Sequence, residues 1–229
     1  MSKIESVRSY NIGDDVVWQK ADSLFGCMQR DATSFLTRGI DAARMDEIAA
    51  ANTIFKNLPT DPELLGIIST ATEIKNATAL ELRKKIATVR SMAATKYGDN
   101  GKYKTFDFGS LADLPDSDLF RTAKRVVRVG TTLLAELASE GLNASMLTEI
   151  TTLANTFDAN LDTLGSAIEN RDLETQNRVI AGNNLWALMV KYADVGKSLF
   201  EFTDEARYND YVLTDTTSVG GGTPPAPNQ

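Results

Sequence analysis

The chain has 229 residues, of which 42% are hydrophobic and 24% are charged, so it is long enough to bury a sizeable core and has a globular composition. Its net charge of −7 argues against a broad nucleic-acid surface or an anionic membrane as the main partner, because both require a basic footprint. The absence of histidine excludes Ser-His-Asp and Cys-His catalytic systems and the usual zinc sites.

Residues 1–10 are predicted to be an N-terminal segment, and the opening MSKIESVRSYNIGDD lacks the apolar core of a secretory signal. The longest apolar run, near residues 185–190, is far shorter than a membrane span. Cys27 is the only cysteine, which rules out an internal disulfide. These features predict a cytoplasmic protein, with a virion or an unconventional export route as open alternatives.

Helical periodicity dominates residues 11–108, which we predict to be a first helical repeat. Gly39 supplies a left-handed helix stop, and Asp41 can cap the helix that follows. Pro59 interrupts the second arm, and Thr60-Asp-Pro-Glu63 has the pattern of a capping box. The predicted arms of this repeat are 14–38, 42–75 and 77–97.

A connector rich in turn formers, GDNGKYKTFDFGSLADLPD, leads to a second predicted repeat at 113–204. The arms of this repeat are 116–140, 144–170 and 172–204. Residues 205–213 are a short post-helical segment, in which Tyr208–Leu213 has the alternation of a brief strand. Residues 214–229 are predicted to be a disordered Gly/Pro tail.

The two predicted repeats share a collinear series of matches, which indicates an internal duplication. RGIDAARMDEI (38–48) matches EGLNASMLTEI (140–150) at a shift of 102 positions, and Phe55 and Phe157 keep that shift. Farther along, KYGDNGK (96–102) matches KYADVGK (191–197) at a shift of 95. We therefore predict an all-α, elongated helical bundle built from two tandem three-helix repeats, as one pseudosymmetric bundle or two adjoining ones.

The repeated corner GLNASMLTEITTLANTF and GIDAARMDEIAAANTIF resembles that of a loosely defined set of uncharacterised bacterial helical proteins of similar length. The resemblance covers most of the chain. It implies a helical fold and brings no known activity.

Gly196-Lys197-Ser198 does not have the context of a phosphate-binding loop. Such a loop requires an earlier glycine five residues before the Gly-Lys glycine, on a turn that follows a strand. Lys191 occupies that position, and the preceding segment has a helical pattern. We interpret the Gly-Lys pair, which recurs at 101–102, as structural.

Four basic residues form a stripe at helical spacing: Arg121, Lys124, Arg125 and Arg128. The stripe could bind an acidic partner or nucleic acid, although most such stripes are solvated helix faces. The corresponding positions of the first repeat are not basic, so any function of the stripe belongs to one repeat only.

A second polar group does recur in both repeats, namely Lys96, Tyr97, Asp99 and Lys102, with counterparts Lys191, Tyr192, Asp194 and Lys197. A buried cluster of this kind could perform acid/base chemistry, whereas helix-end capping is the more ordinary role. Helix-end or bridging roles are also predicted for Glu47, Glu149, Asn76 and Asn170. Asp99-Asn100-Gly101 is predicted to be a turn, Cys27 a buried thiol, and Trp18 and Trp186 core anchors.

The first functional hypothesis is a non-catalytic structural or protein-interaction protein with a protein partner or self-association. No nucleic acid, membrane span, cofactor, metal or catalytic residue is expected. The alternative is a small-ligand-binding bundle with a pocket lined by residues such as Phe157, Trp186 and Leu188. An enzyme that uses carboxylate, lysine or tyrosine groups is the third hypothesis.

Overall fold

The computed structural model describes residues 7–213, and every regular element in that range is helical, as predicted for an all-α protein. The predicted tail at 214–229 lies outside the described residues. The elements are α1 (Asp14–Arg30), α2 (Ala32–Leu36), α3 (Ala42–Lys56), α4 (Asp61–Tyr97), α5 (Gly101–Lys104), α6 (Asp116–Thr132), α7 (Leu134–Leu137), a 3₁₀ turn (Ala138–Glu140), α8 (Ala144–Phe200) and α9 (Glu205–Asp210).

The helices form two compact units. Unit 1 takes Met1–Pro59 and Leu173–Gln229, of which 7–59 and 173–213 are described, and unit 2 takes Thr60–Asp172. Unit 2 is therefore one continuous stretch of chain. The predicted repeats do not coincide with these units, and the tandem three-helix arrangement stays a prediction.

The core of unit 1 joins the apolar faces of α1 and α3 to the C-terminal part of α8. The N-terminal segment also belongs to it, because the Asn183 amide donates to the Val7 carbonyl oxygen (2.9 Å) and accepts from the Ser9 backbone N–H (2.7 Å). Trp18 and Trp186 pack partly buried against this core. Its fully or nearly fully buried side chains include Val17, Ala21, Leu24, Met28, Phe35, Ile48, Phe55, Leu185, Met189 and Tyr192.

The core of unit 2 is built from α4, α6 and the N-terminal part of α8, together with the loop after α5. Polar contacts at its edges include an ion pair between Lys85 and Glu149 (2.6 Å) and a hydrogen bond from Asn160 Nδ2 to Thr78 Oγ1 (3.0 Å). The most deeply buried side chains are Leu82, Ile86, Val89, Ala93, Phe106, Leu119, Ala123, Val126, Leu137, Ile150 and Phe157.

Each unit contains the corner that the sequence predicted around its glycine. Gly39 has φ +71° and Gly141 has φ +97°, both in the left-handed region that favours glycine. In both corners the backbone N–H of the next residue donates to a carbonyl oxygen at the end of the preceding helix. Ile40 donates to the Phe35 oxygen (3.1 Å), and Leu142 donates to the Leu137 oxygen (3.2 Å). The capping side chains are Asp41 and Asn143, which accept from the N–H groups of Arg44 (3.0 Å) and Met146 (3.1 Å).

Helix α1 of unit 1 and helix α6 of unit 2 also correspond. Helix α6 begins at Asp116 and ends at Thr132, each 102 positions after the ends of α1. Trp18 and Phe120 are equivalent by the same shift, and both are partly buried beneath a lysine ammonium. The Nζ atoms of Lys56 and Lys124 lie 4.8 and 4.3 Å from the two ring centroids.

Two predicted helix boundaries and one predicted strand are wrong. Helix α4 runs without a break through the predicted boundary at 75–77, and α8 runs without a break through 170–172, because neither boundary contains glycine or proline. Tyr208–Leu213 is not a strand, since α9 occupies most of it and Asp204 caps that helix by accepting from the Arg207 N–H. The predicted capping box is confirmed, with Thr60 and Glu63 at the start of α4.

None of the helices in residues 7–213 combines the length and apolarity that a membrane crossing would require.

Candidate functional site

The four basic residues of the predicted stripe lie on α6 and divide into two pairs. Arg121 is 3.7 Å from Asp118, and Arg125 forms an ion pair with Asp107 Oδ2 at 2.8 Å. Lys124 and Arg128, by contrast, form no ion pair within residues 7–213. The stripe is therefore only half compensated inside the chain.

Lys124 and Arg128 border a recess between α6 and the N-terminal part of α8, with a volume of about 220 Å³. We call this hollow the α6–α8 recess. Its inner lining includes Ala123 and Ala154, which are 0% and 2% exposed, and its remaining lining residues are Val127, Thr151 and Asn155. Small side chains on facing helices leave the hollow, because an alanine in each wall does not extend into it.

The corresponding place in unit 1 is filled. Position 52, which is 102 positions before Ala154, is a buried asparagine whose amide donates to the Trp18 carbonyl oxygen (3.0 Å) and to Asp22 Oδ1 (2.8 Å). Lys56 completes the cluster through an ion pair with Asp22 (2.6 Å). Unit 1 thus fills this place with a polar side chain beside an internal ion pair, although the Asn52 Oδ1 atom is buried without a hydrogen-bond partner in residues 7–213. Unit 2 has an open hollow beside two cations instead.

The recurring Lys–Tyr–Asp residues make different contacts in the two units. In unit 2, Lys102 and Tyr97 both donate to Glu136, at 2.5 Å and 3.0 Å, which holds the pKa of that carboxyl below its usual range. In unit 1, Tyr192 donates a hydrogen bond to Glu47 (2.7 Å). Burial is the main cause that raises the pKa of Tyr192 to about 12, and the hydrogen bond to Glu47 is the second. The partners differ between the units, so we interpret both sets as links between helices.

Helix-end or bridging roles were also predicted for Glu47 and Glu149 and for Asn76 and Asn170, and the structure treats the two pairs differently. Glu149 pairs with Lys85 and Glu47 accepts from Tyr192, so both glutamates bridge helices, as predicted. Asn76 lies inside α4 and Asn170 inside α8, so neither lies at a helix end. Gly196-Lys197-Ser198 lies inside α8, which agrees with a structural role, and Lys197 pairs with Asp194 (2.7 Å).

A buried ionic cluster that the sequence did not reveal closes unit 1. The Asp31 side chain is 0% exposed and accepts from Arg30 (2.7 Å) and from the Tyr211 hydroxyl (2.8 Å), and Arg207 lies 3.2 Å away. Burial alone would raise the pKa of Asp31, but hydrogen bonds from Arg30 and Tyr211 outweigh it, so the pKa is lowered. Every member is bonded within the chain, which favours a structural role.

The remaining predicted residues also have ordinary surroundings. Cys27 is half-buried rather than fully buried. Desolvation, and to a smaller extent the negative charge of Asp210, raises the pKa of its thiol, and the higher pKa disfavours the reactive thiolate. Asp99 and Asn100 lie at a turn, as predicted, where Asn100 caps α5. Within residues 7–213 no cluster of three or more metal-ligating side chains occurs.

The residues that the sequence suggested for a ligand pocket belong to the cores of different units. Phe157 is fully buried in the core of unit 2, whereas Trp186 and Leu188 pack on the core of unit 1. The α6–α8 recess was missed because its floor is alanine, and only the pairing of α6 with α8 turns those alanines into a hollow.

Comparisons with protein families, with characterised proteins and with solved structures found no match to this chain.

Proposed function

We propose that this protein is a non-catalytic interaction protein, and that the α6–α8 recess binds an acidic helical segment of a protein partner. The observation that carries the proposal is the pair Lys124 and Arg128, which have no ion-pair partner within residues 7–213 and stand one helical turn apart beside an apolar hollow. The protein has an excess of acidic residues, with a net charge of −7, so most cations have a carboxylate available. A pair without one favours an acidic group from outside.

The shape of the recess supports a helix as its occupant. Partner helices that bind in grooves insert an apolar side chain into a hollow, and residues one turn before and after it flank the opening. Glutamates at those positions are about 12 Å apart along the helix axis. The Cβ atoms of Lys124 and Arg128 are separated by about 6 Å, and their long side chains can extend outward to reach both carboxylates. Thr151 and Asn155 supply polar groups at the rim.

Other expectations have less support. The α6–α8 recess, with a volume of about 220 Å³, is smaller than the roughly 300–1,000 Å³ of usual ligand pockets, so at this place it favours a partner side chain over a small ligand. An enzyme would need titratable groups that are free to react, whereas Asp31 and Tyr211 are bonded to each other. The cytoplasmic location and the possibility of self-association stay predictions.

A peptide-binding experiment tests the proposal. The probe is a fluorescent helical peptide of about 20 residues, long enough to span roughly 30 Å, with a central leucine between two glutamates one turn away on either side. We expect Thr151→Trp, which places a large ring in the opening, to weaken binding at least roughly tenfold in fluorescence anisotropy. Thr152→Trp, an exposed neighbour outside the recess, should bind like the wild type.

Charge variants complete the test. Lys124→Glu should weaken binding roughly tenfold or more, while Arg121→Glu on the same helix, whose arginine is near Asp118, should have a smaller effect. Equal losses for the two charge variants, or equal binding by the two tryptophan variants, would contradict docking at the recess.

A further inference from the structure

A second recess in unit 2 lies beside the loop that follows α5. Its volume is about 450 Å³, which falls within the usual range for small-molecule sites, and it shares no lining residue with the α6–α8 recess. We call it the α5-loop recess. Its lining residues are Arg90, Tyr103, Lys104, Asp107, Phe108 and Gly109.

The backbone of this loop is strained and firmly held. Asp107 has φ +45° and is the only non-glycine residue with positive φ among residues 7–213. Arg125 holds it at two points, since the guanidinium forms an ion pair with Asp107 Oδ2 (2.8 Å) and donates a hydrogen bond to the Asp107 backbone oxygen (3.1 Å). Arg83 fixes the next part of the loop through the carbonyl oxygens of Leu111 (3.2 Å) and Leu114 (2.9 Å). Strained conformations that the surroundings enforce in this way are concentrated at ligand sites.

The charges that line the α5-loop recess are predominantly positive. The Asp107 carboxylate is neutralised by Arg125. Arg90 has no ion pair within the described part of the chain, and the Lys104 ammonium lies 3.3 Å from Asp99, with both side chains largely exposed. The Tyr103 hydroxyl likewise makes no hydrogen bond to residues 7–213. Two cations and one hydroxyl thus line the recess with donor capacity left unused.

We propose that the α5-loop recess binds a phosphomonoester. Its donors come from three side chains, and a phosphate offers three terminal oxygens with up to two negative charges, whereas a carboxylate offers two oxygens with one. The rings of Tyr103 and Phe108, with centroids 5.7 Å apart, provide an apolar wall for the organic part. The recess is larger than a bare phosphate requires, which favours a phosphate attached to a sugar or nucleoside. This inference does not rest on the proposed peptide docking.

Isothermal titration calorimetry on the full chain tests the assignment with four probes. Inorganic phosphate, a sugar phosphate and a nucleoside monophosphate share the phosphoryl group and separate its possible sources, and succinate serves as the carboxylate comparison. We expect at least one phosphoryl compound to bind with a submillimolar Kd and to bind more tightly than succinate. Absence of submillimolar binding by all three phosphoryl probes, or succinate binding of equal strength, would overturn the proposal.

Variants locate the site. Arg90→Gln and Lys104→Gln should each weaken phosphoryl binding by roughly tenfold, as expected for loss of a charge-assisted hydrogen bond. Lys104 is exposed, so its substitution leaves the packing intact. Lys84→Gln, a change on α4 of a lysine paired with Glu81, is the control and should bind like the wild type. Wild-type affinity in both Arg90→Gln and Lys104→Gln would place the binding elsewhere and refute the inference.

Discussion

Single side chains determine how the C-terminal end of unit 1 is closed. Tyr211 is fully buried, and its ring lies 5.6 Å from that of Phe35 and 5.9 Å from that of Phe200. Gly196 makes this position possible, because a side chain there would collide with the tyrosine ring. The Tyr211 hydroxyl then reaches the buried carboxylate of Asp31, so one residue joins α9 to both the apolar core and an ionic cluster.

Tyr211→Phe should therefore destabilise the protein with little change in packing. The substitution keeps the ring but removes one donor from the Asp31 carboxylate, and hydrogen bonds to charged groups contribute about 1.5–3 kcal/mol. We expect a decrease of that size in the free energy of unfolding in urea at neutral pH. Tyr208→Phe, which removes a hydroxyl with no bond to residues 7–213, should change it little.

The pH dependence of this effect has a definite sign. The pKa of Asp31 is lowered in the folded state, so the stabilisation is present above its ordinary value of 3.8 and is lost as the pH falls through the lower folded value. The difference between wild type and Tyr211→Phe should therefore narrow below about pH 3.8 in urea denaturation curves. A difference that widened as the pH fell below 3.8 would contradict the role of the ionised carboxylate.

At the scale of elements, the two glycine corners were predictable because their signals are local. A left-handed glycine, an apolar residue after it and a capping Asp or Asn act within a few residues, and both corners formed with matching hydrogen bonds. The lengths of α4 and α8 were harder to predict. Helices often end at glycine or proline, and neither residue occurs at 75–77 or at 170–172, so both helices continue through the predicted boundaries.

Alanine substitutions test the corners. Gly39→Ala and Gly141→Ala should each lower the free energy of unfolding by about 1–2 kcal/mol, the usual cost of placing a side chain in left-handed backbone. Gly66→Ala is a control of opposite sign, since Gly66 lies in the interior of α4 with open space around it, and alanine there should stabilise by about 0.5–1 kcal/mol. If Gly39→Ala and Gly141→Ala were as stable as the wild type in urea, the left-handed corners would be refuted.

At the scale of the whole molecule, the sequence predicts the helical class but not the grouping of helices. Apolar periodicity identifies which face of each helix is buried, as for Val17 and Leu119, but it does not specify which helix covers that face. The Asp31–Tyr211 cluster and the α6–α8 recess both depend on residues that are distant in sequence. Ala154 shows the difficulty, because an alanine in a helix reveals nothing of a hollow until α6 lies opposite.

The net charge of −7 also acquires meaning at this scale. Lys124 and Arg128 lie one helical turn apart beside the α6–α8 recess and have no carboxylate partner among residues 7–213, although the chain has more acidic than basic residues. At the equivalent place in unit 1, the Asn52 amide donates to Asp22, which also pairs with Lys56, so the two units differ at this place. We propose that this recess recognises an acidic helix through those two cations.

A charge-exchange binding cycle tests that claim most directly. The double variant Lys124→Glu/Arg128→Glu and the wild type are each titrated with the acidic peptide and with its counterpart in which lysines replace both glutamates. We predict that the wild type binds the acidic peptide more tightly than the lysine peptide. The double variant should no longer bind the acidic peptide, and it should bind the lysine peptide instead. If the double variant did not bind the lysine peptide more tightly than the wild type does, the proposed recognition would be contradicted.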